Sequence, residues 1–172
     1  MKHIGRATRT RVEQTPDGRR LVVSRAISVP THVAWDVLVS IDDWPVWGPS
    51  VSAVRGIDGR IEAGSQGDVR VAGVWVPFTV ETCADHRWTW RVAGIPATGH
   101  RVTATGVDQC SVAFEIPLVA SPYAVVCAAA LRRIERLATS ERPHSKRAEQ
   151  HEPGGENDED NENGDEAKAA RR

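Results

Sequence analysis

The chain has 172 residues, 40% of them hydrophobic, which is enough for one domain with a core of its own. Its formal net charge of −1 at pH 7 gives no general electrostatic argument for binding nucleic acid. The three cysteines are widely spaced and form no CxxC pair, and an odd count of this kind argues against a disulfide framework.

The N-terminal residues 1–14 are basic and lack the apolar stretch of a secretory signal. The longest apolar run, residues 124–131, is far shorter than the roughly 20 residues of a membrane-spanning helix. We therefore expect a cytoplasmic protein without a transmembrane segment.

Charge is unevenly distributed along the chain. Residues 141–172 carry ten acids and six bases, which leaves 13 acids and 16 bases, a charge near +3, for the rest. Residues 149–166 contain nine acids and no base, and no large apolar residue follows Ser140. Such a segment cannot bury enough apolar surface to offset its ordering entropy. The sequence predicts a disordered acidic tail over residues 141–172.

The first predicted elements are a hairpin, or two short extended segments, over residues 10–28. The turn falls at residues 15–18, where proline presets φ and glycine tolerates a positive φ. Two short helices follow, one opening at Pro30-Thr31 and one at Asp42-Asp43.

Between Val51 and Leu118 apolar residues recur with a period of two. This pattern predicts a meander of antiparallel strands with one apolar, buried face (the dry face) and one polar, solvent-exposed face (the wet face). Turns are expected at residues 84–86, 94–96 and 106–108. Glu81 and Glu115 fall on the wet face. The dry face is expected to carry Val74, Val76, Phe78, Val80, Trp88, Trp90, His100, Val102, Ala104, Cys110, Val112, Phe114 and Ile116.

The last predicted element is a long amphipathic helix with Ser121 as its N-cap. Its apolar stripe consists of Tyr123, Val126, Cys127, Ala130, Leu131, Ile134 and Leu137. A sheet with a single dry face and one such helix must pack on each other, so the predicted fold class is α+β.

The segment VVSRAISVPTHVAWDVLVSIDDWPVWGPSV, residues 22–51, resembles the opening of the START-like (SRPBCC) superfamily, in particular its polyketide cyclase/dehydrase and lipid-transport branch. The resemblance extends to the end of the last helix near Ala138. The positions that carry it are Pro30, Val33, Trp35, Val37, Leu38, Asp42, Trp44, Pro45, Trp47 and Pro49.

The resemblance implies a helix-grip fold, in which a curved antiparallel sheet of about seven strands wraps around the long C-terminal helix and leaves a cavity. The expected domains are an N-terminal extension over 1–20, which could supply a hairpin strand, a START-like domain over 21–140 and the tail over 141–172. The superfamily includes cyclases, carriers, receptors and chaperone activators, so the fold alone does not select the chemistry.

His100 is the most informative ionisable residue, because strand parity places it inward with Val102. A neutral imidazole there could hydrogen-bond a ligand carbonyl or move a proton near neutral pH. The alternative is a partly solvated imidazole whose hydrogen-bonding groups are paired within the protein and which contacts no ligand.

The remaining candidate ligand-binding residues are mainly aromatic and form an apolar wall, with ordinary core packing as the alternative for each. Trp44 and Trp47 are expected to pin the short helices to the sheet, with gating of the pocket entrance, as the resemblance implies, as the alternative. Trp75, on the wet face, could mark a dimer contact. The candidates are Trp47, Phe78, Trp88, Trp90, Val102, Phe114, Tyr123 and Cys127.

Three functions remain open. The first is binding of a hydrophobic small molecule (a lipid, an isoprenoid quinone or a polyketide-like aromatic) by a monomer or weak dimer. The second is a polyketide cyclase or dehydratase with His100 as acid/base, and the third is a protein-interaction module of the chaperone-activator type.

No metal site, cofactor motif or other catalytic residue is predicted, because no cysteine-histidine cluster or glycine-rich phosphate loop has the required spacing.

Overall fold

A computed structural model describes residues 7–140. Eight strands form one antiparallel sheet in the order β1-β2-β8-β7-β6-β5-β4-β3, open at its β1 and β3 edges. The strands are β1 (Arg9–Thr15), β2 (Gly18–Ile27), β3 (Ala53–Arg55), β4 (Gln66–Val71), β5 (Val74–Ala84), β6 (Arg87–Val92), β7 (Ile95–Gly106) and β8 (Gln109–Pro117). The helices are α1 (Thr31–Val39), α2 (Trp44–Trp47) and α3 (Ala124–Ser140), with 3₁₀ turns at Ile41–Asp43 and Leu118–Tyr123. Among the described residues, no helix combines the length and apolarity that a bilayer crossing requires.

The predicted N-terminal hairpin forms β1 and β2. The Thr15 hydroxyl donates to the Gly18 carbonyl (2.8 Å) and accepts from the Asp17 backbone N–H (3.2 Å), while Gly18 takes a φ of 92°. β1 pairs along its whole length with β2, which in turn pairs with β8. The sheet therefore has eight strands, one more than expected. The predicted tail, residues 141–172, lies outside the described residues.

Four two-residue turns connect the strands from β4 to β8, and three of them share one backbone conformation. Ala72-Gly73, Asp85-His86 and Ala93-Gly94 all have positive φ at both positions, which suits the twist of tight hairpins. β7 therefore begins at Ile95, inside the turn predicted at residues 94–96. Val74 and Ala104, expected on the dry face, are exposed near strand ends.

Helix α3 packs against β2 and β8 on the inner face of the sheet. Its buried side chains are Cys127, Ala130, Leu131, Ile134 and Ala138. A half-buried ion pair joins Arg25 on β2 to Glu135 on α3, with 2.6 Å between Nε and Oε2. This packing confirms the predicted α+β helix-grip arrangement. The helix itself begins at Ala124, after a 3₁₀ turn that takes in the predicted cap.

Glu115 lies on the outer face of the sheet, as predicted, and yet it is only 1% exposed. Arg87 and Arg101 donate to its carboxylate, at 2.7 and 3.2 Å. Those two arginines also pair with Asp17 and Glu13 of the N-terminal hairpin. The prediction of an outward, solvated carboxylate is therefore wrong in its exposure, because the hairpin and the two arginines cover this part of the outer face.

Candidate ligand-binding site

Two tryptophans of α2 are anchored to the end of α1. The Trp44 Nε1–H donates to the Leu38 carbonyl and the Trp47 Nε1–H donates to the Val37 carbonyl, each at 3.1 Å. Gly48 ends α2, and a Cβ there would lie 2.8 Å from the Trp44 carbonyl oxygen. These contacts fix both indoles over the inner face of the sheet.

Trp44, Trp88 and His100 form a three-layer stack, here called the aromatic stack. The rings of Trp44 and Trp88 are 5.1 Å apart and nearly parallel, and those of Trp88 and His100 are 3.8 Å apart. Phe114 meets His100 edge-on at 4.7 Å. The offset and edge-on geometries are those in which aromatic rings attract one another.

His100 is 2% exposed and is held by a short hydrogen-bond chain. Its Nε2 lies 3.2 Å from the Thr98 hydroxyl, which also accepts the Trp90 indole N–H at 3.3 Å. The His100 Nδ1 and the Trp88 Nε1 are buried without a hydrogen-bond partner among the described residues. Polar atoms of this kind cost free energy where they are left unpaired.

His100, Cys127 and Tyr123 all have pKa values shifted toward their neutral forms. Burial lowers the pKa of His100 to about 3; the neighbouring Trp88 backbone opposes part of this shift, and the charge of Arg87 lowers the pKa further. Burial raises the pKa of the Cys127 thiol to about 12 and also raises the pKa of Tyr123.

A cavity of about 30 Å³ lies between the sheet, α3 and the loop after α2. That is room for one or two water molecules, whereas benzene is held by a cavity of roughly 150 Å³. The hydroxyls of Ser50 and Tyr123 hydrogen-bond to each other at its exposed end. The lining consists of Trp44, Trp47, Gly48, Pro49, Ser50, Val51, Trp90, His100, Phe114, Tyr123, Val126, Cys127 and Ala130.

Two open surface grooves have larger volumes, about 430 and 410 Å³. The first borders Arg9 and Arg11 on the outer face of the N-terminal hairpin, and the second borders Arg133 and Arg136 on α3. Neither is enclosed by apolar side chains, so the small aromatic cavity is the better candidate for an apolar ligand.

The structure brings six of the nine predicted ligand-binding residues to the cavity: Trp47, Trp90, His100, Phe114, Tyr123 and Cys127. The other three, Phe78, Trp88 and Val102, are buried in the core and do not line it. Trp44 separates Phe78 and Trp88 from the cavity, since it packs directly on both rings.

Sequence reasoning missed Thr98, Ser50 and the lining role of Trp44. Thr98 shares a strand face with His100, but the strand was expected to start later. Ser50 lies in a loop, and no periodic pattern shows where a loop side chain points.

Trp75, assigned to a possible dimer contact, is half-buried beneath the Arg55 guanidinium. The distance from the Arg55 Cζ to the centre of the Trp75 ring is 4.3 Å.

Within residues 7–140 no group of three or more histidine, cysteine or acidic side chains is arranged to hold a metal ion. Cys83, Cys110 and Cys127 are free thiols that form no disulfide. The side chains that line the cavity can donate and accept hydrogen bonds and make aromatic contacts.

Comparisons with known proteins agree with this architecture. Residues 18–140 match the family model described as polyketide cyclase / dehydrase and lipid transport. No curated protein matches the chain significantly.

Solved structures similar in fold include two bacterial proteins. CalU16 from Micromonospora echinospora has a TM-score of 0.56 at 16% identity, over 80% of this chain and 77% of that one. Protein Ms6760 from Mycobacterium smegmatis has a TM-score of 0.55 at 13% identity, over 78% of this chain and 99% of that one. At these identities the likeness shows the fold alone. On the family match, which covers most of its length, the chain belongs to the polyketide cyclase/dehydrase and lipid-transport family of the START-like superfamily.

Proposed function

We propose that the chain binds a hydrophobic small molecule (a lipid, an isoprenoid quinone or a polyketide-like aromatic) in the cavity between the sheet and α3. The observation that carries the proposal is a cavity walled by the rings of Trp47, Trp90 and Phe114 and lined by no charged side chain. Ligand sites are typically concave and apolar, with a few polar groups that set orientation.

The cavity has to enlarge severalfold before such a ligand fits, so the proposal requires a second, open conformation. The Ser50–Tyr123 hydrogen bond closes the exposed end, and a hydrogen bond of this kind contributes only about 1 kcal/mol. The adjoining segment carries exposed apolar side chains at Leu118, Val119 and Val125. Parting the two hydroxyls and moving the loop after α2 would open a path with an apolar rim.

The test is binding of the neutral dye N-phenyl-1-naphthylamine, combined with native mass spectrometry of protein purified from its own host. Ala130→Leu, on the cavity wall, fills the space that the ligand needs. Ala129→Leu, one position earlier on the same helix and not on the wall, is the matched control. We expect the dye to bind the wild type and the control, with at least tenfold weaker binding to Ala130→Leu.

Equal dye binding by Ala130→Leu and the wild type would move the ligand site elsewhere. Absence of dye binding together with absence of any co-purifying small molecule would overturn the proposal. A co-purifying molecule would identify the ligand class directly.

A cyclase or dehydratase with His100 as acid/base is the second candidate, favoured by the description of the family. The pKa of about 3 weighs against it, because an acid/base catalyst works best with a pKa near the operating pH. This function predicts that His100→Gln abolishes turnover of a poly-β-keto substrate while binding persists. Unchanged turnover in that variant would remove His100 from the chemistry.

A further inference from the structure

The cavity wall carries no formal charge. None of the thirteen lining residues is aspartate, glutamate, lysine or arginine. The three that can ionise, His100, Tyr123 and Cys127, are all shifted toward their neutral forms by burial. A charged ligand group placed here would lose its hydration without gaining an opposite charge.

The hydrogen-bond chain from Trp90 fixes the tautomer of His100. An indole N–H can only donate, so the Thr98 hydroxyl oxygen accepts from Trp90. The Thr98 hydroxyl proton is then free to donate to the His100 Nε2, which makes Nε2 the acceptor and puts the ring proton on Nδ1. In the other tautomer both the Thr98 hydroxyl proton and the Nδ1 lone pair would lack a partner. The favoured state therefore leaves one unmet donor, the Nδ1–H of His100.

A second donor is available at the exposed end of the cavity. In the Ser50–Tyr123 pair one hydroxyl donates to the other, so one hydroxyl proton remains for a further acceptor. The polar groups of the cavity thus offer protons from the imidazole and from the hydroxyl pair, and they carry no formal charge.

We propose that this cavity selects an uncharged ligand with an aromatic body and a carbonyl-type acceptor oxygen, which takes the Nδ1–H of His100, and that it rejects carboxylates, phosphates and amines. The proposal rests on the function proposed above and narrows its ligand class. Satisfying a buried donor that is otherwise unpaired is worth about a tenfold gain in affinity.

The experiment compares three naphthalene probes of similar size: 2-acetonaphthone, 2-ethylnaphthalene and 2-naphthoate. Each competes with N-phenyl-1-naphthylamine at pH 7 in the full chain. We expect the ketone to bind about tenfold more tightly than the hydrocarbon and the carboxylate to bind at least a hundredfold more weakly than the ketone.

Two variants assign the preference to the hydrogen-bond chain. His100→Phe keeps a ring in the aromatic stack and removes the donor, so the ratio of ketone to hydrocarbon affinity should fall to about one. Thr98→Val keeps His100 and removes the hydroxyl that holds its tautomer, so the same ratio should fall by severalfold. The second variant keeps the test decisive if the first does not fold.

The outcomes separate this inference from the proposed function. Dye binding with equal affinity for ketone and hydrocarbon would overturn the inference and leave the function standing. The same holds if the carboxylate binds as tightly as the ketone, or if the preference survives in a folded His100 or Thr98 variant. Failure of the dye and all three probes to bind would overturn both.

Discussion

The imidazole of His100 lies flat against the indole of Trp88, with the ring centres 3.8 Å apart and the planes 13° apart. Trp44 covers the opposite face of the same indole. This arrangement keeps the imidazole in a dry environment, where its neutral form is strongly favoured. The candidate site consequently combines a histidine, usually a group that titrates near pH 7, with a cavity that remains uncharged.

The first prediction concerns the pH dependence of stability. The folded-state pKa of His100, about 3, lies below the unfolded value near 6.5, so the unfolded chain takes up a proton first as the pH falls. The free energy of unfolding should drop by about 1.4 kcal/mol per pH unit below pH 6.5, or about 2 kcal/mol by pH 5. Urea unfolding at pH 7, 6 and 5 measures this slope.

His100→Phe serves as the control, because it has no proton to bind and should remove the His100 part of the slope. Other titrating groups are the same in the wild type and the variant, so the difference between the two slopes reports His100. An identical slope in the wild type and the variant would show that His100 is not held neutral.

The second prediction concerns the buried carboxylate of Glu115. Glu115→Gln keeps the shape and removes the charge that Arg87 and Arg101 share, so the free energy of unfolding should fall by about 2 to 4 kcal/mol. Glu81→Gln breaks the exposed pair with Arg91 and should cost less than about 1 kcal/mol. Urea unfolding at pH 7 compares the two, and equal costs would mean that the Glu115 cluster contributes no more than a surface pair.

Sequence reasoning predicted the fold well because the spacing of apolar residues shows which side of an element is apolar. This spacing is about 3.6 residues in α3 and two residues in the strands. It could not report which inner residues face the cavity. Phe78 and Trp88 have the right parity, but Trp44, contributed by a separate helix, covers both. The predicted exposure of Glu115 was wrong for a related reason. The alternation of apolar and polar residues assigns a side chain to one face of the sheet, but it does not show which other residues cover that face.

The third prediction concerns Gly99, which lies opposite Glu115 in the β7–β8 pairing. A Cβ at this position would come within 2.8 Å of the Glu115 Oε2, so Gly99→Ala should destabilise the chain by about 1 to 3 kcal/mol. In the Glu115→Ala background the same change should cost much less, because the obstructing carboxylate is gone. Gly106→Ala, where the nearest atom would be 3.6 Å away, is the matched control. A double-mutant cycle by urea unfolding gives the coupling, and strict additivity would contradict this packing.

The fourth prediction concerns opening of the cavity. Ser50→Ala and Tyr123→Phe each remove one partner of the hydrogen bond at its exposed end. Losing about 1 kcal/mol of closing free energy should speed entry of N-phenyl-1-naphthylamine about fivefold, as measured by stopped-flow fluorescence. Ser52→Ala is the control, since this nearby serine donates to the Arg70 carbonyl and does not line the cavity. Entry rates that are the same in all four proteins would mean that the ligand enters by another route, whereas acceleration in the Ser50 and Tyr123 variants alone would identify this hydrogen bond as the closing contact.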